Sequence, residues 1–142
     1  MSAAREGACL CGAVRIRVGR LGDTMSACHC GMCRRWSGSI QMGIEAREVT
    51  VEGPVKTWMS STFAERAWCD VCGSALWLRD VDPGDLYELV PGLFDNAAGA
   101  RLVREVYADR APDGYALAGD IQRVSAADYE ASHPHVPEGG AR

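Results

Sequence analysis

Apolar and polar residues alternate through Ala13-Val14-Arg15-Ile16-Arg17-Val18, which predicts a strand with a charged outer face. Comparable short runs predict further strands over 39–44, 48–51, 56–59, 65–68, 75–78, 86–90 and 102–107. Turn chemistry punctuates them at Gly53-Pro54, Asp82-Pro83-Gly84 and Pro112-Asp113-Gly114. Helical signals are sparse. Residues 31–37 predict a short helix or turn that stops at Gly38, and Ser125 is placed to cap a short helical turn over 125–130. There is no internal repeat, no long amphipathic helix and no Gly-rich loop suited to cradling phosphate. The pattern predicts a mainly β fold, a compact single domain of small antiparallel sheets over residues 1–131. From Ser132 the chain turns to His, Pro and Gly, which predicts a flexible tail over 132–142. Trp36, Trp58, Trp68 and Trp77 read as core aromatics rather than stacking platforms.

Composition narrows the function classes. A chain of 142 residues fits one domain, and 47% hydrophobic with 24% charged residues is ordinary globular content. A net charge of −4 argues against nucleic acid or an anionic membrane as the main partner. No stretch approaches the ~18 apolar residues of a membrane span. The opening Met1-Ser2-Ala3-Ala4-Arg5-Glu6 lacks the apolar core of a secretion signal, so a cytoplasmic location is expected.

The seven cysteines change the picture most. An odd number cannot all pair, and a reducing cytosol disfavours disulfides. They fall in three tight groups: Cys9-x-Cys11, Cys28-x-Cys30-x-x-Cys33 and Cys69-x-x-Cys72. Such spacing lets thiolates converge on one ion without long loop closures, and zinc is the default metal for thiolate sets. A division into four plus three follows. Cys9 and Cys11 with Cys69 and Cys72 would close a structural tetrahedral zinc. Cys28, Cys30 and Cys33 would hold a second zinc with an open position, the pattern of a catalytic site. Gly12 and Gly73, each directly after a ligand, permit φ > 0, so that the chain folds back and aims N–H groups at sulfur. Two alternatives stay open. A fourth ligand from elsewhere would make the second site structural too, and Cys28, Cys33, Cys69 and Cys72 could form one site that leaves Cys9 and Cys11 unused. His29 is expected to point away from the ion, and His133 and His135 to be solvated.

Arg34 and Arg35 follow the third ligand of the middle group. Zinc with three thiolates carries a formal charge of −1, and a substrate thiolate would raise it to −2. Neighbouring guanidinium groups would offset that charge and could hold a carboxylate bidentately. The alternative is that either arginine is simply solvated.

Cys9-Leu10-Cys11-Gly12-Ala13-Val14, Cys28-His29-Cys30-Gly31-Met32-Cys33-Arg34-Arg35-Trp36-Ser37-Gly38 and Cys69-Asp70-Val71-Cys72-Gly73 together resemble the glutathione-dependent formaldehyde-activating enzyme family, which includes the centromere protein V group. Pro91-Gly92-Leu93-Phe94-Asp95 is similar to a further segment of that family. The resemblance covers residues from about 8 to about 129. It implies a β-rich fold with two zinc ions per chain, one structural on Cys9, Cys11, Cys69 and Cys72, and one catalytic on Cys28, Cys30 and Cys33. It also implies condensation of glutathione with formaldehyde, a carbon–sulfur lyase reaction.

The expected function is activation of a small thiol on the three-cysteine zinc for reversible addition to a small aldehyde. Arg34 or Arg35 would bind a carboxylate of the thiol, and Asp95 would contact substrate or relay a proton, with a purely structural role in a turn as the alternative. A non-catalytic zinc-stabilised binding module and a thiol or metal sensor are the rival classes. Small-molecule thiol and aldehyde are the expected partners, and homodimerisation stays open.

Overall fold

A computed structural model describes residues 4–133. The chain is mainly β, with nine strands and two short α-helices among the described residues. In chain order these are β1 (Arg5–Ala8), β2 (Arg15–Cys28), α1 (Gly31–Ser37), β3 (Gln41–Glu52), β4 (Val55–Met59), β5 (Ala64–Cys69), β6 (Ala75–Asp80), β7 (Tyr87–Leu89), β8 (Arg101–Val106), β9 (Gln122–Val124) and α2 (Ala126–Glu130). The chain divides into two compact units. One comprises residues up to 25 and 43–101, the other residues 26–42 and those from 102 onward.

In the first unit the strand order is β4-β5-β6-β7-β3-β2, with β1 antiparallel on β2. The alternation in β2 turns Ile16 and Val18 inward and Arg15 and Arg17 to solvent. With Val14, Leu21, Ile44, Leu76, Trp77 and Leu89 they form the core. Each such buried aliphatic contributes roughly 1.5–3 kcal/mol relative to exposure. Two details of this unit bear on the cysteines. The register of β5 on β6 slips between Ala67 and Trp68, directly before Cys69, and such a bulge re-aims the residues that follow. Gly53 (φ +111°) lies so close to the loop before β2 that a Cβ there would stand 2.1 Å from the Ala13 carbonyl oxygen.

In the second unit β9 lies parallel on β8, with Arg104 opposite Gln122. Cys30, Met32, Cys33, Val106, Tyr107 and Ala126 pack together as its core. Gly38 ends α1 in the left-handed region at φ +85°. Ser125 caps α2, its Oγ accepting from the Asp128 N–H at 3.1 Å. Both follow the sequence reading.

Several expectations need correction. The ladders are not all small and antiparallel, because β8 and β9 run parallel and six strands lie side by side in the first unit. Strands expected at 39–44 and 48–51 are one strand, β3, which passes through Glu48 at φ +57°. That kink is matched by Gly19, where a Cβ would meet the Glu48 Cβ at 2.8 Å. The glycine thus serves close packing, and β2 continues past it instead of ending at residue 18. Short, polar β1 and β9 carry no apolar alternation and escaped the pattern. Trp77 is a core aromatic as expected, Trp36 and Trp68 are half-buried, and Trp58 is exposed on β4. Of the expected tail, Ser132 and His133 are exposed, while residues 134–142, including His135, lie outside the described residues.

Candidate metal centres

The first centre is built at the ends of two hairpins. Cys9 and Cys11 occupy the loop from β1 to β2, Cys69 ends β5, and Cys72 lies in the turn to β6. The four sulfurs lie within 4.8 Å of one another. Cys9 Sγ is 3.6 Å from Cys11 Sγ, which is 3.8 Å from Cys69 Sγ. All seven cysteines of the chain are free thiols. Gly12 (φ +80°) and Gly73 (φ +77°) turn the loops back as their positions after ligands require. Backbone N–H groups then point at sulfur: Val14 to Cys9 at 3.3 Å, Ala13 to Cys11 at 3.4 Å and Val71 to Cys69 at 3.4 Å. Ser74, which the sequence reading passed over, joins the two loops. Its Oγ accepts from the Leu10 N–H at 3.1 Å and lies 3.1 Å from Cys72 Sγ. Hydrogen bonds from Ser74, side chain and backbone, and from Cys11 lower the Cys72 thiol to about 5. Cys11 is stabilised as thiolate by the Ala13 N–H, yet burial and the neighbouring sulfurs prevail and push it up to about 11.

The second centre lies where β2 gives way to α1. Cys28 ends the strand, Cys30 is the N-cap of the helix and Cys33 sits in its first turn. The Cys30 sulfur accepts from the Cys33 N–H at 3.3 Å, and the three sulfurs lie within 4.8 Å of one another. Cys30 and Cys33 are buried, and Cys28 is half-exposed. Interactions with Cys30 and Cys33, together with burial, push the Cys28 thiol well above its ordinary range. Among the described residues no histidine or carboxylate joins this group. His29 turns away, as expected, and its Nε2 lies 3.2 Å from Oε1 of Glu105. His133 is exposed and stacks on Tyr129 at 3.9 Å.

The two arginines part company. Arg34 donates from Nε to the His29 carbonyl oxygen at 2.8 Å, bracing the ligand loop, whereas Arg35 is exposed. Asp95 is exposed at the head of the 3-10 turn Asp95–Gly99 in the first unit. Sequence reasoning missed Glu105 and Tyr107. Tyr107 holds φ +53°, an uncommon conformation for a large side chain, and packs with Cys30 and Cys33. Its hydroxyl donates to Glu130 at 3.0 Å, and burial with that carboxylate pushes the phenol up. The available signal for Glu105 was the charged pair Arg104-Glu105 inside the otherwise apolar run 102–107.

Both donor sets fit zinc. A tetrahedral ion with metal–sulfur bonds of about 2.3 Å spaces its sulfurs about 3.8 Å apart, as observed in the first centre. Crowded thiols also oppose each other's ionisation, a conflict that a divalent cation removes. The two clusters could therefore hold metal ions, and they partition as four and three, not as Cys28 and Cys33 with Cys69 and Cys72.

An uncharacterised lyase of Schizosaccharomyces pombe is 31% identical over 116 residues, covering 80% of this chain and 85% of the relative. A Halomonas elongata protein, provisionally named a glutathione-dependent formaldehyde-activating enzyme, is 33% identical over 87 residues, covering 53% of this chain and 55% of that protein. A crystal structure of a Rhodobacter sphaeroides protein shares the fold with a TM-score of 0.55 at 22% identity, covering 70% of this chain and all of that one. No helix among the described residues is long and apolar enough to cross a membrane. The family model described as glutathione-dependent formaldehyde-activating enzyme matches residues 4–110, and the chain belongs to that family.

Proposed function

We propose that this chain is a zinc-dependent enzyme of the carbon–sulfur lyase type. It joins a small thiol, glutathione or a close analogue, reversibly to formaldehyde or another small aldehyde. The observation that carries the reading is the three-sulfur group of Cys28, Cys30 and Cys33, half-open to solvent at Cys28 and joined by no fourth ligand among the described residues. Cys9, Cys11, Cys69 and Cys72 hold the structural ion in this reading, and Cys28, Cys30 and Cys33 the catalytic one. When bound at the second centre, zinc lowers the pKa of a thiol so that thiolate is available near neutral pH.

The reaction forms a bond between the thiol sulfur and the aldehyde carbon, and the thiol proton ends on the former carbonyl oxygen. The reverse reaction breaks the same carbon–sulfur bond. Burial of Cys30 and Cys33 excludes water from one side of the site. Arg35, exposed beside the third cysteine, binds a carboxylate of the thiol. Arg34 braces the ligand loop through His29. A substrate role for Asp95 is supported by the similarity of Pro91-Gly92-Leu93-Phe94-Asp95 to a segment of the family. Thiol chemistry of this kind, with seven reduced cysteines, suits the cytoplasm.

The test is zinc stoichiometry in the purified protein and in Cys30→Ser, with glutathione titrated into each. Two zinc ions falling to one, with the fold intact and glutathione binding lost, supports the reading. One zinc in both proteins, or two that respond to no thiol, would instead indicate a zinc-stabilised binding module.

A further inference from the structure

We propose that Glu105 is a positioning residue for the three-cysteine centre, acting through His29 to hold Cys28 and Cys30 in converging directions. The inference rests on the reading of Cys28, Cys30 and Cys33 as a metal site.

Glu105 is only 5% exposed in β8, and His29 is only 1% exposed. Burying a carboxylate is costly unless it is paired, so such a residue needs a compensating arrangement. Its oxygens lie at ion-pair distance from two side chains, Oε1 3.2 Å from His29 Nε2 and Oε2 3.5 Å from Nε of Arg123 on β9, without hydrogen-bond geometry at His29 Nε2 or Glu105 Oε2. His29 is held at two more points. Its N–H donates to the Val106 carbonyl at 3.1 Å, and its own carbonyl accepts from Arg34 Nε at 2.8 Å. The residue between two ligands is thus fixed by ring, donor and acceptor together.

The consequence follows from extended-chain geometry. Neighbouring side chains in an extended backbone project to opposite sides. Anchoring the His29 ring on Glu105 therefore turns Cys28 and Cys30 the other way, where their sulfurs meet that of Cys33. Neither ring nitrogen belongs to the sulfur group, so His29 serves as a strut and not as a ligand. Without the strut, Cys28 and Cys30 would have to be ordered by the ion itself.

The test follows release of zinc from the fully loaded protein to a chromophoric chelator, with Cys30→Ser identifying the phase that belongs to the three-cysteine centre. Glu105→Gln, which keeps size and shape, is expected to speed that phase about 10-fold or more, the usual scale for outer-shell partners of a metal site. Release from the four-cysteine centre and the thermal midpoint should stay unchanged. His29→Gln should speed the same phase without touching the four-cysteine phase, at some cost in midpoint because Glu105 loses a partner. The double variant should be no faster than the faster single one, because both act through one contact. Should Glu105→Gln not fold, His29→Gln carries the same prediction. Two zinc ions in the native protein with unchanged release in both variants would overturn the positioning role alone. Both phases accelerating together with a lowered midpoint would also overturn it, as general destabilisation. A native protein with a single zinc would overturn the metal-site reading beneath it.

Discussion

Gly53 and the paired arginines show how single residues divide the work of building the two centres. A side chain at Gly53 would collide with the Ala13 carbonyl, and its φ of +111° is a conformation that L-residues rarely adopt. Ala13 also donates its N–H to the Cys11 sulfur, so the collision would be transmitted to a ligand. Gly53→Ala is expected to cost about 2–5 kcal/mol from strain and overpacking, read as a lower urea midpoint. An unchanged midpoint would show that the close approach is unimportant. Arg34 and Arg35 are adjacent in the chain but differ in role, one bracing the His29 carbonyl and the other exposed. Arg35→Ala should raise KM for glutathione by about 10-fold or more with little change in kcat, as loss of a charge-assisted contact predicts. Equal effects on kcat and kcat/KM would place Arg35 in the chemical step instead.

At the scale of elements, the centres sit on different supports. The four-cysteine group joins two hairpin loops, and Cys69 is fully buried at the end of β5. The three-cysteine group spans one strand end and one seven-residue helix. Cys69→Ser is therefore expected to lower the thermal midpoint strongly, whereas Cys30→Ser leaves it close to that of the native protein; circular dichroism melts of both variants check this. Much of this architecture was legible in the chain. Cys30, Cys33 and Gly38 frame α1, and the glycines after Cys11 and Cys72 announce positive φ, because ligand spacing and glycine conformation are local properties. The kink at Glu48 and its fit to Gly19 were not legible, since they depend on two strands meeting. Glu105 was hidden for the same reason: its role arises only when β8 lies beside His29. Trp58 misled because an apolar residue in a strand reads the same at an exposed edge as at a buried centre.

Taken as a whole molecule, each centre draws all its ligands from one of the two units. An ion on the four-cysteine group would tie Cys11 to Cys69, 58 positions apart, whereas one on the three-cysteine group would close a segment of six. By analogy with disulfide loops, closure of that longer span removes about 4 kcal/mol of unfolded-chain freedom. With metal removed, pH should govern stability through the thiols. Cys72 falls from its ordinary 9.0 to about 5 on folding, so the folded state gains stability as pH rises from about 5 to about 9 and loses it on acidification through 5. Cys11 rises from 9.0 to about 11, so the folded state loses stability as pH rises between those values. Urea titrations of the metal-free protein should show a maximum near pH 9; a profile flat between 5 and 11 would contradict this. The ligand spacing also has a temporal side. On the ribosome the three-cysteine set is complete once Cys33 has emerged, but the four-cysteine set waits for Cys72, thirty-nine residues later. At synthesis rates of about 5–20 residues per second, that is a delay of about 2–8 s. If both groups bind zinc as proposed, a nascent chain therefore presents its three-cysteine set to cellular zinc before the four-cysteine set is complete.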